Sequence, residues 1–445
     1  MDLMLHRNRK LTSFQIIILG FSAVILLGTL LLMLPIARRA GVPASFGDAL
    51  FTATSAVCVT GLVVHDTATY WSPFGQAVIL LLIQIGGMGV ITVAASFAII
   101  SGRKISLMQR STMQEAISAS KVGGIVRLTG FIIRTTLCAE LLGAAVMAPG
   151  FVRDFGVRGL WMALFHAVSA FCNAGFDLMG TRRAYSSLTS YAQEPVINLT
   201  IMLLILMGGI GFMTWDDVRT NGLHLRRYRM QSKVILCMTA LLLILPAAYF
   251  FFLEFDAVPV KNRVLISLFQ AVTPRTAGFN TVNLSGLSEA GQYLVIVLML
   301  IGGSPGSTAG GMKTTTAAVL LGTAVSTFGR QKYTHFFGRR VDEDVVRNAA
   351  TVLLMYLVLV FVGGLVISLI EGLPMLTCLF ETASAVGTVG LSMGITPGLG
   401  RLSKLILTLL MFMGRVGGLT LVFAARIGVQ QHNLSKLPKE KITVG

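Results

Sequence analysis

The sequence is poor in charged residues. Asp, Glu, Lys and Arg make up only 12% of its 445 residues, and 19 of them are acidic. Because 54% of the chain is hydrophobic and its mean hydropathy is +0.78, it has too few polar side chains to cover a soluble globule of this size. The composition therefore excludes a soluble globular protein and indicates a membrane protein.

The sequence also lacks the residue patterns of catalysis and metal binding. No nucleophile stands near a base, the carboxylates are not paired, and the histidines are scattered without ligand spacing. The cysteines show neither metal spacing nor a pairing pattern, which is typical of small buried hydrophobic residues: Cys58, Cys138, Cys172, Cys237 and Cys378. These absences argue against an enzyme.

Long apolar runs are abundant. Five of them approach or exceed the roughly 20 residues that span a bilayer: Phe14 to Leu34, Phe74 to Ile100, Val234 to Leu253, Val352 to Ile370 and Leu405 to Ala425. Weaker runs complete a predicted set of eight spans: Ile125 to Met147, Val196 to Phe212 and Tyr293 to about Thr327. The first run is longer than a signal-peptide core and lacks a clear cleavage site, so we expect it to remain as a span.

The basic residues concentrate in alternate loops. In the predicted topology, the two terminal segments and every second loop lie on the same side of the membrane. These segments hold 23 of the 36 Lys and Arg residues, against 11 in the loops on the other side. This bias predicts that both termini and the basic loops are cytoplasmic. The net charge of +17 is then mainly a topology signal, and we expect no nucleic-acid partner.

One stretch occurs four times, beginning with Phe and ending with Gly. Its copies are FTATSAVCVTG, FHAVSAFCNAG, the shorter FQAVTPRTAG and FETASAVGTVG, which end at Gly61, Gly175, Gly278 and Gly390. The spacings of 114, 103 and 112 residues predict one structural unit used four times. We expect repeats at residues 1–102, 103–218, 219–330 and 331–428, followed by a polar cytoplasmic tail at 429–445.

The segment before each glycine is too short to cross a membrane. Phe46 to Val57, for example, is apolar but only half a span long, and a glycine turn follows it. This order predicts a re-entrant hairpin with a short pore helix. Because each unit contains two full spans, every unit enters the membrane in the same orientation. The expected fold is an all-α membrane protein. It has four parallel repeats of outer helix, pore helix with filter loop, and inner helix around a central pore.

The four turns contain almost no carboxylates. Non-helical backbone at membrane depth is tolerated where it lines a water-filled cavity, and its carbonyl oxygens can replace the hydration shell of potassium. Glycine permits the backbone angles that aim such carbonyls. We therefore expect a filter for a monovalent cation made of Val59, Thr60, Gly61, Asn173, Ala174, Gly175, Thr276, Ala277, Gly278, Thr388, Val389 and Gly390.

A break rich in glycine interrupts the third inner span. Its sequence from Gly302 to Thr316, GGSPGSTAGGMKTTT, cannot form a continuous helix and predicts a loop at mid-membrane. A phosphate-binding loop is disfavoured because Met312 separates the glycine from the lysine and no strand precedes it. The candidate gate consists of Gly302, Gly303, Ser304, Pro305, Gly306, Ser307, Gly310, Gly311, Lys313 and Arg415.

Several charged residues fall in or near apolar runs. Lys313 and Arg415 either bind backbone carbonyls as structural clamps or hold a closed gate with positive charge in the cation path. We expect Arg275 to point away from the filter and brace its turn. Glu140 in a span and Glu381 in the last pore helix are either ion ligands or buried carboxylates bonded to the filter scaffold. At the mouth, three further carboxylates either attract cations or lie on a solvated loop face: Asp66, Asp177 and Glu289.

The fourfold unit, the glycine that ends each turn, TAGFNT at Thr276 to Thr281 and the broken inner span resemble the Trk/Ktr/HKT superfamily of potassium transporters. The chain is similar to the membrane subunit of the bacterial Ktr system. The resemblance implies potassium-selective uptake in the bacterial cell membrane, an intramembrane gate, a homodimer and a cytoplasmic ring of nucleotide-binding (RCK-type) regulatory subunits. It also implies K+ as the transported ion, with Na+ as a second candidate, and no organic cofactor.

In this superfamily, Ser at the first filter glycine goes with sodium permeation, so Gly61 favours potassium. The rival hypothesis is a sodium- or proton-coupled transporter that works by alternating access. Such transporters share discontinuous helices but typically use inverted repeats or paired bundles.

Overall fold

The computed structural model describes residues 12–100, 107–117 and 124–417. These residues are mostly helical, as predicted, with one small antiparallel hairpin of β1 (His335–Phe336) and β2 (Arg339–Arg340). The predicted tail at 429–445 and the end of the last predicted span lie outside the described residues.

The helices follow one another along the chain, with connections that range from one residue between α4 and α5 to the long segment between α8 and α9. In order they are α1 (Ser13–Leu32), α2 (Phe46–Val57), α3 (Thr67–Tyr70), α4 (Pro73–Met88), α5 (Val90–Ile100), α6 (Leu107–Ile117), α7 (Ile125–Phe155), α8 (Arg158–Phe171), α9 (Pro195–Ile210), α10 (Phe212–Asn221), α11 (Met230–Tyr249), α12 (Val260–Val272), α13 (Glu289–Leu300), α14 (Thr314–Phe328), α15 (Glu343–Glu371), α16 (Met375–Gly387) and α17 (Arg401–Val416).

Within the described ranges, four helices are long and apolar enough to cross a membrane. They are α1, α7, α11 with its π-helical continuation to Glu254, and α15. Only 28% to 33% of their most apolar windows is buried, so their remaining apolar side chains face outward. Outward-facing leucine, isoleucine and valine side chains on a long helix are what a lipid environment requires.

The other four predicted spans are not continuous helices. Helices α9 and α10 meet at Gly211 with a bend of 94°, and α4 and α5 are separated at Gly89. Helices α13 and α14 flank the predicted break, and α17 ends at Gly417. The expectation of eight full spans is therefore confirmed for four uninterrupted helices only, because glycine ends or interrupts each of the others.

The short helices α2, α8, α12 and α16 precede the four glycine turns. Helix α2 has the bounds predicted for the half-span, and its N-cap Ser45 accepts a hydrogen bond from the Asp48 backbone N–H. In α8, ten of fourteen residues are buried. A short apolar helix that is buried on most faces belongs to the interior of the molecule rather than to its surface.

The repeated phenylalanines are the anchors of these short helices. Phe51, Phe165, Phe269 and Phe380 are each at most 1% exposed. Burial of the cysteines is less uniform than expected. Cys58, Cys172 and Cys378 are buried, whereas Cys138 and Cys237 lie exposed on the long helices α7 and α11, where an apolar exterior accepts a thiol equally well.

Candidate functional site

The glycines that end the four turns lie next to one another. All four have positive φ: 94° for Gly61, 69° for Gly175, 78° for Gly278 and 91° for Gly390. A Cβ atom on any of them would come closer than 3.0 Å to a carbonyl oxygen of the next turn. Those oxygens belong in order to Ala174, Ala277, Val389 and Thr60, so the four turns close into a ring. We call this arrangement the glycine ring.

A second residue of each turn also has positive φ. It stands two positions before the glycine and is Val59 (50°), Asn173 (57°), Thr276 (61°) or Thr388 (51°). Three of these residues are β-branched, for which this conformation is a genuine outlier held by the surrounding structure. From the sequence, positive φ angles could be expected only at the glycines, because the side chains of Val59, Thr276 and Thr388 do not indicate them.

A hydroxyl side chain fixes each turn to the short helix before it. Ser55 Oγ accepts from the Gly61 N–H at 3.1 Å, and Ser384 Oγ accepts from the Gly390 N–H at 3.0 Å. Ser169 Oγ donates to the Phe176 carbonyl at 2.7 Å, and Thr273 Oγ1 donates to that of Phe279. We call these residues the hydroxyl clamp.

Sequence reasoning missed the hydroxyl clamp, although the signal was present. Each of the four copies carries Ser or Thr four residues after its phenylalanine. A residue type shared at one position of a repeat usually has a structural role in every unit, and here that role is to hold the loop.

A second set of glycines brings the helices that follow the turns, α4, α9 and α17, against the short helices α2, α8 and α16. We call α4, α9, the pair α13 and α14, and α17 the first to fourth inner helices. Cβ atoms at Gly86, Gly208 and Gly414 would collide with the carbonyl oxygens of Val57, Phe171 and Val386, which lie in the last turns of α2, α8 and α16. Three residues later, Gly89, Gly211 and Gly417 have φ of 84°, 94° and 86° and end the helices. The spacing G-x-x-G was readable in the sequence, but its structural role was not predicted.

The third inner helix breaks into a loop within the predicted range, although Thr314 to Thr316 of that range form the start of α14 rather than part of the loop. We call residues 302–313, between α13 and α14, the inner loop. It is closed on itself by the Gly302 N–H to Met312 O bond of 2.8 Å and by the Thr314 N–H to Gly303 O bond of 3.0 Å. Two further bonds tie it to the break between α9 and α10: Ser304 N–H to Gly209 O at 2.9 Å and Phe212 N–H to Gly306 O at 2.8 Å.

The inner loop lies directly against the glycine ring. A side chain at Gly310 would collide with that of Thr388, and a Cβ at Gly311 would lie 2.8 Å from the Gly387 carbonyl oxygen. Ser304 Oγ is 3.1 Å from Thr314 Oγ1, and both residues are buried. The residues predicted as a gate are thus brought together beside the residues predicted as a filter.

The two cations inside apolar runs both bind backbone carbonyls. Lys313 Nζ donates to the carbonyl oxygens of Ala309 at 2.9 Å and Gly310 at 3.3 Å, within its own loop. The Arg415 guanidinium instead bridges two elements, because it donates to the carbonyl oxygens of Thr308 in the loop and Gly86 at the end of α4. Both cations line a cavity of about 350 Å³, to which Glu115 of α6 contributes a carboxylate.

Two of the five candidate carboxylates hold loops through several hydrogen bonds each. Glu381 accepts from Ser392 Oγ at 2.5 Å, the Met393 N–H at 3.0 Å and Thr396 Oγ1 at 2.8 Å. Asp66 caps α3 and also accepts from the Tyr185 N–H at 3.0 Å. Both therefore act as scaffold in this structure.

The remaining candidates are dispersed. Asp177 accepts from the Met179 N–H at 2.8 Å, Glu140 lies 3.7 Å from Cys172 Sγ, and Glu289 is exposed in the first turn of α13. Arg275 is 3% exposed, and its Nη2 donates to Thr239 Oγ1 of α11 at 3.3 Å. The guanidinium thus reaches a long helix outside the glycine ring, in the direction predicted.

Comparison with known proteins places this geometry in a family. Residues 5–437 match the TrkH family, described as a cation transport protein. The chain is 38% identical to the potassium/sodium uptake protein NtpJ of Enterococcus hirae over the full length of both chains. It is 39% identical to the Ktr system potassium uptake protein B of Bacillus subtilis over 93% of each chain.

A solved structure has the same fold. The potassium transporter TrkH from Vibrio parahaemolyticus superposes with a TM-score of 0.74 over 95% of this chain and 86% of its own, at 19% sequence identity.

Proposed function

Because the chain belongs to the TrkH family of membrane cation transporters, we propose that it takes up potassium selectively through the centre of the glycine ring. Closure of the four turns into one ring is the observation that carries this proposal. A ring of backbone carbonyls without carboxylates suits a monovalent cation that exchanges water for neutral oxygen ligands.

The backbone of the turns supports the carbonyl role. In each turn the glycine and the residue two positions before it have positive φ, whereas the residue between them does not. Alternating the sign of φ turns successive carbonyl groups toward the same side, whereas a strand alternates them between two sides. We propose that the filter residues use these carbonyls, from Val59 to Gly61 and at the matching positions of the other turns.

We propose that the inner loop is the gate of this pathway. It lies against the ring, and it is held by loop-to-helix hydrogen bonds rather than by a continuous helix. Arg415 fastens it to the end of α4. Lys313 and Arg415 also place positive charge at the cavity beside it, which opposes passage of a cation while the loop is closed.

The proposed architecture is four parallel repeats, with the bounds given above, around one pore. Each repeat would contribute an outer helix, a pore helix with its turn and an inner helix interrupted or ended by glycine. The proposed working form is a homodimer with both termini in the cytoplasm, regulated by a ring of nucleotide-binding subunits. The names of the Bacillus and Enterococcus relatives favour K+ as the transported ion and keep Na+ as a candidate.

Flux into liposomes tests this proposal. We expect purified protein to carry rubidium down its own gradient, to exclude sodium and to lose this selectivity in Gly61→Ser, where the new side chain meets Ala174 O. Gly41→Ser is the matched control, since Gly41 also has positive φ but no atom within 4 Å of its Cβ position.

Two results would change the proposed function. Rubidium flux that requires a sodium or proton gradient would favour the coupled alternating-access transporter. Absence of cation flux, even with a regulatory partner, would overturn both hypotheses.

A further inference from the structure

Asn173 differs from the residues at the same position of the other three turns. Those residues are Val59, Thr276 and Thr388, whereas Asn173 carries an amide with a donor and an acceptor. Its Nδ2 donates to the Arg275 carbonyl oxygen at 3.2 Å. The side chain of the second turn therefore fixes the backbone of the third turn, one residue before Thr276.

The other end of the same amide contacts the inner loop. Thr308 Oγ1 lies 3.0 Å from Asn173 Oδ1 and 3.0 Å from the Phe171 carbonyl oxygen, and its hydroxyl proton is shared between these acceptors. Asn173 and Thr308 are both fully buried. Bulk water therefore cannot replace the Thr308 hydroxyl while the loop is in this position.

A glycine makes this contact possible. A Cβ atom at Gly208 would lie 2.7 Å from Asn173 Oδ1 and 2.7 Å from Thr308 Oγ1, and it would collide with the Phe171 carbonyl. Any larger residue on α9 would push the loop away from the second turn. The Thr308 N–H also donates to the Gly208 carbonyl at 3.2 Å, which fixes the loop at this point.

Thr308 is also the loop residue that Arg415 holds. Its carbonyl accepts from the Arg415 guanidinium, while its hydroxyl faces Asn173. One residue of the loop thus connects α17 to the second turn, and Asn173 extends the connection to the third turn. Movement of the loop away from the ring would remove the hydroxyl and leave the amide free to rotate.

We propose that Asn173 is a positioning residue that couples the inner loop to the glycine ring through Thr308, so that the position of the loop sets ion selectivity. With the loop docked, the amide is oriented by Thr308 and holds the Arg275 carbonyl. With the loop displaced, the third turn loses this support and discriminates less well between potassium and sodium. The inference rests on the proposed function, since it assigns a regulatory contact to the same pathway.

Substitutions at the two ends of the contact test the coupling. Thr308→Val removes the hydroxyl at nearly constant shape, and Asn173→Val installs the residue type that the first turn carries at Val59. In full-length protein in liposomes, each is expected to lower the ratio of rubidium to sodium flux about three- to tenfold, as loss of one buried hydrogen bond implies.

Three further variants separate coupling from a general loss of structure. Thr308→Ser keeps the hydroxyl and is expected to keep the wild-type ratio. Asn173→Thr installs the residue type of the third and fourth turns and is expected to behave like Asn173→Val. Thr200→Val is the matched control, because the Thr200 hydroxyl donates to the Val196 carbonyl of its own helix at 2.7 Å, and we expect no change.

The double variant Asn173→Val with Thr308→Val is decisive. If both residues act through one contact, the double variant lowers the ratio no further than either single variant. Additive effects, or wild-type ratios in folded Thr308→Val and Asn173→Thr, would overturn the coupling while selective flux by the wild type still supports the proposed function. Loss of selectivity in the wild type itself would overturn both.

Discussion

The four glycine turns closely resemble one another, whereas the four inner helices that follow them do not. Each turn has the same two positive-φ positions, a hydroxyl clamp and a glycine against its neighbour. The first, second and fourth inner helices share a glycine contact with a short helix, whereas the third opens into a loop. The fourth also carries Arg415 where the first and second have Gly87 and Gly209.

Under the proposed function, this difference would separate two tasks. Similar turns are suited to surrounding an ion evenly, because each supplies the same backbone groups. Dissimilar inner helices allow one element to move while the others stay fixed. Selectivity would then depend on all four repeats, whereas gating would depend on one loop and its contacts.

The largest effect is expected from a side chain inside the ring. Gly278→Ala places a methyl group 2.5 Å from the Val389 carbonyl oxygen at a φ of 78°. The left-handed penalty and the collision together cost about 2–5 kcal/mol, so rubidium flux in liposomes should fall at least about thirtyfold.

Gly372→Ala provides the control for that substitution. Gly372 has a φ of 67° but nothing within 4 Å of its Cβ position, so the backbone penalty is present without the collision. Equal loss of flux in the two variants would show that crowding of the ring is not the cause.

The next largest effect is expected from Arg415→Ala. It removes the guanidinium that joins the inner loop to α4, and basal rubidium flux should rise about tenfold, as expected for a charged hydrogen bond worth about 1.5 kcal/mol. Deletion of Ser304 to Thr314 should act in the same direction. Arg401→Ala, at the exposed start of the same helix, is the control, and unchanged or lost flux in Arg415→Ala at normal expression would count against the gate.

A smaller effect is expected from the hydroxyl clamp. Ser55→Ala and Ser384→Ala each remove the acceptor of a ring glycine N–H, and each should lower the rubidium to sodium flux ratio about threefold. Ser169→Ala removes a donor to the Phe176 carbonyl and should have a similar effect. A change confined to one of the three would indicate that the turns are not equivalent.

The smallest effect is expected from Lys313→Met. Among the described residues, the Lys313 ammonium group bonds only to carbonyls of its own loop, so basal flux should rise about two- to threefold, less than for Arg415→Ala. An increase as large as that of Arg415→Ala would show that charge at the cavity, rather than the bridge to α4, keeps the pathway closed.

Much of the fold could be predicted because the repeated residues mark it. The phenylalanine and glycine of each copy located the short helices, and the bounds of α2 were predicted to the residue. The break before Lys313 was evident from glycine and proline alone. The interruptions at Gly89 and Gly211 were not predicted, because a single glycine in an apolar run does not by itself reveal a change of direction.

The contacts of the site were harder to predict than its location. That Arg415 reaches both Thr308 and Gly86 depends on how α17 packs against two distant parts of the chain. The link from Thr308 to Asn173 joins residues 135 positions apart, and no local pattern encodes it. The hydroxyl clamp was encoded locally and could have been found by aligning the four copies.

The central claim is that the glycine ring binds the transported ion. The most direct test is a crystal structure in rubidium chloride, with anomalous diffraction measured at the rubidium edge. The account predicts rubidium density on the axis of the ring, coordinated by carbonyl oxygens near Gly61, Gly175, Gly278 and Gly390. Rubidium bound elsewhere in the protein, with none inside the ring, would contradict it.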